Sequence, residues 1–224
     1  MTPSAVLAKR TKQIIARLNR AYPDAHCALD HENPLQLLMA TILSAQCTDE
    51  RVNKVTPALF ARCHTSADFA SIPQAELEGI IRSTGFYRAK ARSIRGCAAA
   101  LMAYHQGEVP RTMEELHRLP GVGRKTANVV LGNAFNLSEG IVVDTHVGRL
   151  SRRMGLTRQN DPVKVESALV KIVPQKDWTL FSHLMIWHGR KRCSARKPDC
   201  AHCEIRNLCP ARGVPRSRAK ARPA

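Results

Sequence analysis

The sequence predicts an all-α protein on three observations. Apolar residues recur at helical spacing through the chain, two Asx-Pro pairs stand where helix N-caps belong, and no apolar run is able to build a sheet. The first helix takes its buried face from Leu7, Ile14, Leu18 and Tyr22. The second places Leu35, Leu38, Met39, Ile42 and Leu43 on one face, and Asn33 followed by Pro34 gives it an N-cap with proline at the first helical position. Further helices fit residues 52–60, 74–81, 89–104 and 113–119. Asp161 and Pro162 repeat the capping device before Val165, Leu169 and Ile172. Residues 141–143 are the one apolar stretch with strand character, too short and isolated to found a sheet.

At 224 residues and 44% hydrophobic content, the chain is long enough for one large domain or two small ones with real cores. No apolar run approaches bilayer length and the N-terminus lacks a compact hydrophobic signal core, so a soluble, intracellular protein is expected, in a bacterial-type cytoplasm. Lys and Arg number 35 against 18 acidic residues, a formal charge of +17 that points to a polyanion, DNA or RNA, as partner. The excess gathers at both ends: five basic residues lie within 1–23, five within 190–197 and five within 212–222. From residue 211 the tail is rich in Arg, Lys, Pro and Ala without apolar periodicity, and is expected to be disordered.

Four of the eight cysteines, Cys193, Cys200, Cys203 and Cys209, follow the spacing Cys-x6-Cys-x2-Cys-x5-Cys in a basic stretch, which points to a metal centre. Zinc usually takes tighter pairs, disulfides need an oxidising compartment, and an iron–sulfur cluster accepts four thiolates at varied spacing. Cys27, Cys47, Cys63 and Cys97 are scattered singly and read as small buried hydrophobes.

Between two helical patterns lies Leu119-Pro120-Gly121-Val122-Gly123-Arg124-Lys125-Thr126-Ala127. Leu116 and Leu119 close the first helix; Ala127, Val130, Leu131 and Ala134 make a face of the second. Gly121 and Gly123 bring backbone N–H groups close to an anion, and the following helix N-terminus adds its positive end, an arrangement that suits a DNA phosphate. Taken alone, Lys125 there is a phosphate contact. Asp144, straight after the apolar 141–143, is a carboxylate at a core edge and an N-cap for a helix starting at Thr145.

This nonamer resembles the helix-hairpin-helix of the endonuclease III family of DNA glycosylases, and the cysteine spacing is similar to that family's [4Fe-4S] loop. The segments Leu43-Ser44-Ala45-Gln46-Cys47-Thr48-Asp49 and Val143-Asp144-Thr145-His146-Val147 agree as well, and the likeness runs in order over residues 5–210. The resemblance implies a six-helix barrel domain with the hairpin over residues 27–137. A second domain, from residues 1–26 and 138–210, would carry the [4Fe-4S] cluster on Cys193, Cys200, Cys203 and Cys209, with DNA in the cleft between. It also implies a bifunctional glycosylase and abasic-site lyase acting, as a monomer, on oxidised pyrimidines in duplex DNA. Lys125 would attack the sugar C1′, and Asp144 would stabilise the charge that develops there.

By the same resemblance Gln46 fills the gap left by the extruded nucleotide, and Phe86 is a second wedge where some relatives carry leucine. Gly121, Val122, Gly123 and Arg124 would grip the backbone, with His146, Arg196 and Lys197 as further phosphate contacts; His146 also reads as a structural histidine and Phe86 as core. Adenine-mispair relatives lack a lysine at the place of Lys125, whereas a thymine-mispair glycosylase stays open. A DNA-binding module without catalysis, its cysteines holding zinc, is the alternative of another class.

Overall fold

The computed structural model describes residues 2–215, and all regular elements among them are helices. The chain forms two compact units, Cys27–Glu139 and the combination of Met1–His26 with Gly140–Ala224. Helix α1 (Pro3–Ala21) opens the second of these and buries Ile14 and Leu18.

The unit Cys27–Glu139 is built around α2 (Pro34–Leu43). Its residues Leu37 to Leu43 are all buried, as befits a helix apolar on every side. The expected cap is present: the Asn33 side chain accepts from Gln36 N at 2.9 Å. Helix α3 (Asp49–Arg62) is capped by Thr48 and packs on α2. Next comes α4 (Ser66–Ser71), whose buried face of Ser66 and Phe69 carries too little apolar pattern to be read in the sequence. It is fixed by a capping box in which Asp68 Oδ2 accepts from Thr65 N at 2.8 Å and Thr65 Oγ1 accepts from Asp68 N at 3.2 Å. Helices α5 (Gln74–Ile81) and α6 (Tyr87–His105) follow, α6 lying along α4 and α5 and touching α2. The unit closes with α7 (Met113–Arg118) and α8 (Arg124–Ala134), the latter packed on α2. Leu38, Leu43, Leu59, Phe69, Ile94 and Leu131 are fully enclosed, each such side chain contributing about 1.5–3 kcal/mol.

In the other unit, residues 141–143 belong to no regular element and lead into α9 (Thr145–Arg153). Helix α10 (Pro162–Leu169) has its expected cap, Asp161 Oδ1 accepting from Lys164 N at 3.0 Å. The long α11 (Trp178–Lys191) packs against α1 and α9. Sequence periodicity had a signal for α11 in Phe181, Leu184 and Met185, whose next turn is completed by the buried His188 rather than by an apolar residue. The expected tail begins as a turn tied to α9, with Arg212 N donating to Arg153 O at 3.0 Å; residues 216–224 lie outside the described residues.

Candidate active site and cysteine loop

The hairpin turn follows from two glycines with different duties. Gly121 has φ +78°, and a Cβ added to it would come 2.7 Å from the Ser93 Cβ on α6, so both conformation and space demand glycine. The turn is closed by Val122 N donating to Leu119 O at 3.1 Å, with both side chains buried beneath it. Gly123 is the N-cap of α8, with an extended backbone, no side-chain cap, and open space where its Cβ would be. The first amides of α8 are therefore approachable, at the helix end that favours anions. Arg124 and Lys125 occupy its first turn with exposed side chains.

Asp144 is half-buried at the start of α9, where its Oδ1 accepts from Val147 N at 2.7 Å. The cap fixes the carboxylate's orientation. Beside it, His146 Nδ1 accepts from Arg149 Nη2 at 3.2 Å, and α11 passes so close that a Cβ on Gly189 would come 2.5 Å from that same nitrogen. His146 is thus part of the α9–α11 packing, whatever else it contacts.

Gln46 and Phe86 share a conformation that periodicity does not foretell. Both have left-handed backbones, φ 52° and 49°, which costs roughly 1 kcal/mol for a residue with a side chain. Gln46 is exposed, and Phe86 is 66% exposed, so its ring is not part of the core.

Cys193, Cys200, Cys203 and Cys209 are all half-buried in the segment after α11. Burial pushes the Cys203 thiol up to about 12 and raises Cys200 and Cys209 as well, with neighbouring cysteines adding to each. Thiolates here need a cation to balance them. Among the described residues no three of these sulfurs lie within 4.8 Å of one another. One zinc ion would hold its four sulfurs roughly 3.8 Å apart, closer than these side chains stand.

Two arginines that sequence reasoning missed hold this loop. Arg153 Nη1 donates to Ser194 O at 2.7 Å and lies 3.3 Å from Cys193 Sγ, its Nη2 donates to Ala195 O at 2.6 Å, and Arg149 Nη2 donates to Cys193 O at 3.0 Å. Their spacing of four residues on α9 was the available sign. Arg196 and Lys197 stand exposed within the loop. His188, Cys203 and Glu204 also approach one another within 4.8 Å. There Tyr22 OH meets His188 Nδ1 at 3.0 Å, and Arg192 Nη2 donates to Glu204 Oε1 at 3.2 Å. Burial lowers His188 to about 4, so its 3.5 Å approach to Glu204 is not an ion pair at neutral pH.

The catalytic pair expected from the sequence is divided between the units, Lys125 in Cys27–Glu139 and Asp144 in the other. Gln46, Phe86 and the hairpin belong with Lys125; His146, Arg196, Lys197 and the four cysteines belong with Asp144.

Residues 39–175 match the model of the HhH-GPD superfamily base excision DNA repair proteins. The chain is 53% identical over 203 residues to endonuclease III of Synechocystis sp., covering 91% of this chain and 93% of the relative. It is 44% identical over 202 residues to that of Bacillus subtilis, covering 90% and 92%. Among solved structures it is similar to a trapped endonuclease III–DNA covalent intermediate, with TM-score 0.85 and 47% identity over 91% of this chain and 96% of that one. A thermostable thymine-DNA glycosylase shares the fold at TM-score 0.78 and 22% identity, covering 91% and 96%. With the hairpin, the capped aspartate and the cysteine loop in their expected order, the chain belongs to the endonuclease III family within the HhH-GPD superfamily of base excision DNA repair proteins.

Proposed function

We propose that this protein is a bifunctional DNA glycosylase and abasic-site lyase that removes oxidised pyrimidines from duplex DNA and then cleaves 3′ to the abasic site. One observation carries the reading. Lys125 presents an exposed amine in the first turn of α8, straight after a hairpin with approachable amides, in a chain 47% identical to an endonuclease III trapped covalently on DNA.

The Lys125 amine attacks C1′ of the damaged nucleotide; the bond from C1′ to the base breaks, and its electron pair leaves with the base, which takes up a proton. The amine loses its proton, the sugar ring opens, and a Schiff base remains between Lys125 Nζ and C1′. Loss of a proton from C2′ then expels the 3′ phosphate, and water releases the lysine. The Asp144 carboxylate, held in place by the Val147 amide, stabilises positive charge developing on the sugar. Gln46 and Phe86 fill the space vacated by the extruded nucleotide. Gly121, Val122, Gly123 and Arg124 grip one strand's backbone, and His146, Arg196 and Lys197 contact further phosphates.

The four cysteines, half-buried together in the segment after α11, are read as ligands of a [4Fe-4S] cluster. Such a group supplies structural cross-linking; the base excision steps rest on Lys125 and Asp144. In this reading the unit Cys27–Glu139 is the six-helix barrel domain and the other is the cluster domain. The protein works as a monomer in a bacterial-type cytoplasm, on the nucleoid; among the described residues no helix is long and apolar enough to cross a membrane.

The test is borohydride trapping on a duplex carrying thymine glycol. The wild-type protein is expected to form a covalent adduct, and Lys125→Ala to bind the duplex without one. Wild-type protein that binds without any adduct would turn the assignment to a monofunctional glycosylase or a binding module. A yellow-brown colour with bound iron supports the cluster; a colourless zinc protein removes it.

A further inference from the structure

Lys90 sits on the buried face of α6, 5% exposed, in register with Ala91, Ile94, Cys97 and Leu101. A buried ammonium must be satisfied. Its Nζ donates to Leu43 O at 2.7 Å and to Thr84 O at 2.8 Å. Both acceptors end helical segments, Leu43 closing α2 and Thr84 closing the 3₁₀ turn Arg82–Thr84. Such ends carry carbonyls without helical partners and a negative dipole end, which together favour a cation.

Each carbonyl lies just before a left-handed turn. Gln46, φ 52°, comes three residues after Leu43, and Phe86, φ 49°, two after Thr84. Lys90 is tied to the second turn again through its own backbone, Lys90 N donating to Phe86 O at 3.1 Å. One side chain therefore fastens the two exposed turns to a common point in the core.

We propose that Lys90 is a positioning residue for nucleotide extrusion, a single buried ammonium that ties the Gln46 turn to the Phe86 turn and so sets the spacing at which the two side chains enter DNA. The proposal rests on the reading of Gln46 and Phe86 as gap fillers. Lys90 itself touches no DNA. Two fillers serving one vacated position must match the stacked bases on either side, and an error of about 1 Å in such placement costs on the order of 10²-fold in rate.

The experiment compares single-turnover excision from a thymine glycol duplex with β-elimination on a duplex already carrying an abasic site, where no base has to be unstacked. Lys90→Met is expected to slow excision by about 10-fold or more while elimination changes by less than about 3-fold, and Lys90→Arg restores most of the loss. In a Gln46→Ala/Phe86→Ala background, Lys90→Met adds no further loss. Lys90→Gln, which keeps a donor for one carbonyl, gives an intermediate ratio and covers a Met variant that fails to fold. Parallel loss of both activities, or undiminished loss in the double-alanine background, would overturn the proposal. Hydrogen exchange separates the anchor from the reading beneath it. Faster amide exchange in both segments, 45–48 and 85–87, supports the anchor, and exchange that rises in one or neither removes it. Faster exchange in both with an unchanged excision ratio leaves the anchor standing and removes the filler role of Gln46 and Phe86.

Discussion

Gly121 stands against Ser93 so closely that a single added carbon would come 2.7 Å from the serine Cβ. Gly121→Ala should therefore destabilise the protein by about 2–4 kcal/mol, combining the left-handed backbone with overpacking. Urea unfolding measures it. Ser93→Ala should not relieve the loss, because the offending Cβ remains, whereas Ser93→Gly should recover part of it.

The cap made by Asp144 predicts that its two duties separate. Asp144→Asn keeps an oxygen for Val147 N, so stability should change by only a few tenths of a kcal/mol, while Asp144→Ala should cost about 1 kcal/mol. Both should slow base excision by roughly 10²-fold or more. Unfolding midpoints beside single-turnover rates decide it; an Asn variant with full activity would reduce Asp144 to a cap.

Arg153 spans the cysteine loop, donating to Ser194 O and Ala195 O beside Cys193. Arg153→Met removes two charge-assisted bonds of about 1–2 kcal/mol each at this half-exposed site. Iron of the proposed cluster should be lost to a chelator about 10-fold faster than from the wild type, as followed by visible absorbance; equal rates would mean that Arg153 does not help to hold the loop.

Lys197 projects from the same loop into solvent. Lys197→Ala should leave iron content unchanged, weaken duplex binding uniformly across sequences, and reduce the salt dependence of log K by about 0.9 for the one phosphate released. An unaltered slope would place this residue away from the DNA.

His183 on α11 has its pKa lowered from 6.5 to about 4, first by burial and then by the charge of His26. The unfolded chain takes up this proton near 6.5 and the folded chain only near 4. Stability from this group is therefore full above the upper value, falls as the pH drops between the two, and levels off below. The loss amounts to roughly 3 kcal/mol. Urea midpoints at neutral and acid pH should show a shallower decline for His183→Gln; parallel declines would assign the effect to other groups.

Much of the candidate site could be read before the fold because its residues lie in short contiguous segments. The hairpin nonamer, the aspartate before Thr145 and the cysteine spacing each declare their chemistry locally, and Asn33-Pro34 and Asp161-Pro162 mark helix starts that the structure contains. Helix α4 was missed because its buried face holds a serine, Ser66, beside a single large apolar residue, Phe69, and α11 because its stripe passes through His188.

By itself the sequence determined the helical class, the family, and where the charge, the candidate nucleophile and the thiols lie, since capping, periodicity and motif spacing are properties of neighbours along the chain. Tertiary structure alone decided what distant segments do to one another. It set Gly121 against Ser93, brought Arg153 to the cysteine loop, and joined the carbonyls of Leu43 and Thr84 on the Lys90 ammonium. In sequence that lysine is a charge interrupting an apolar stripe; it becomes intelligible only where packing brings two helix ends to it, because a buried cation is tolerated only where acceptors converge.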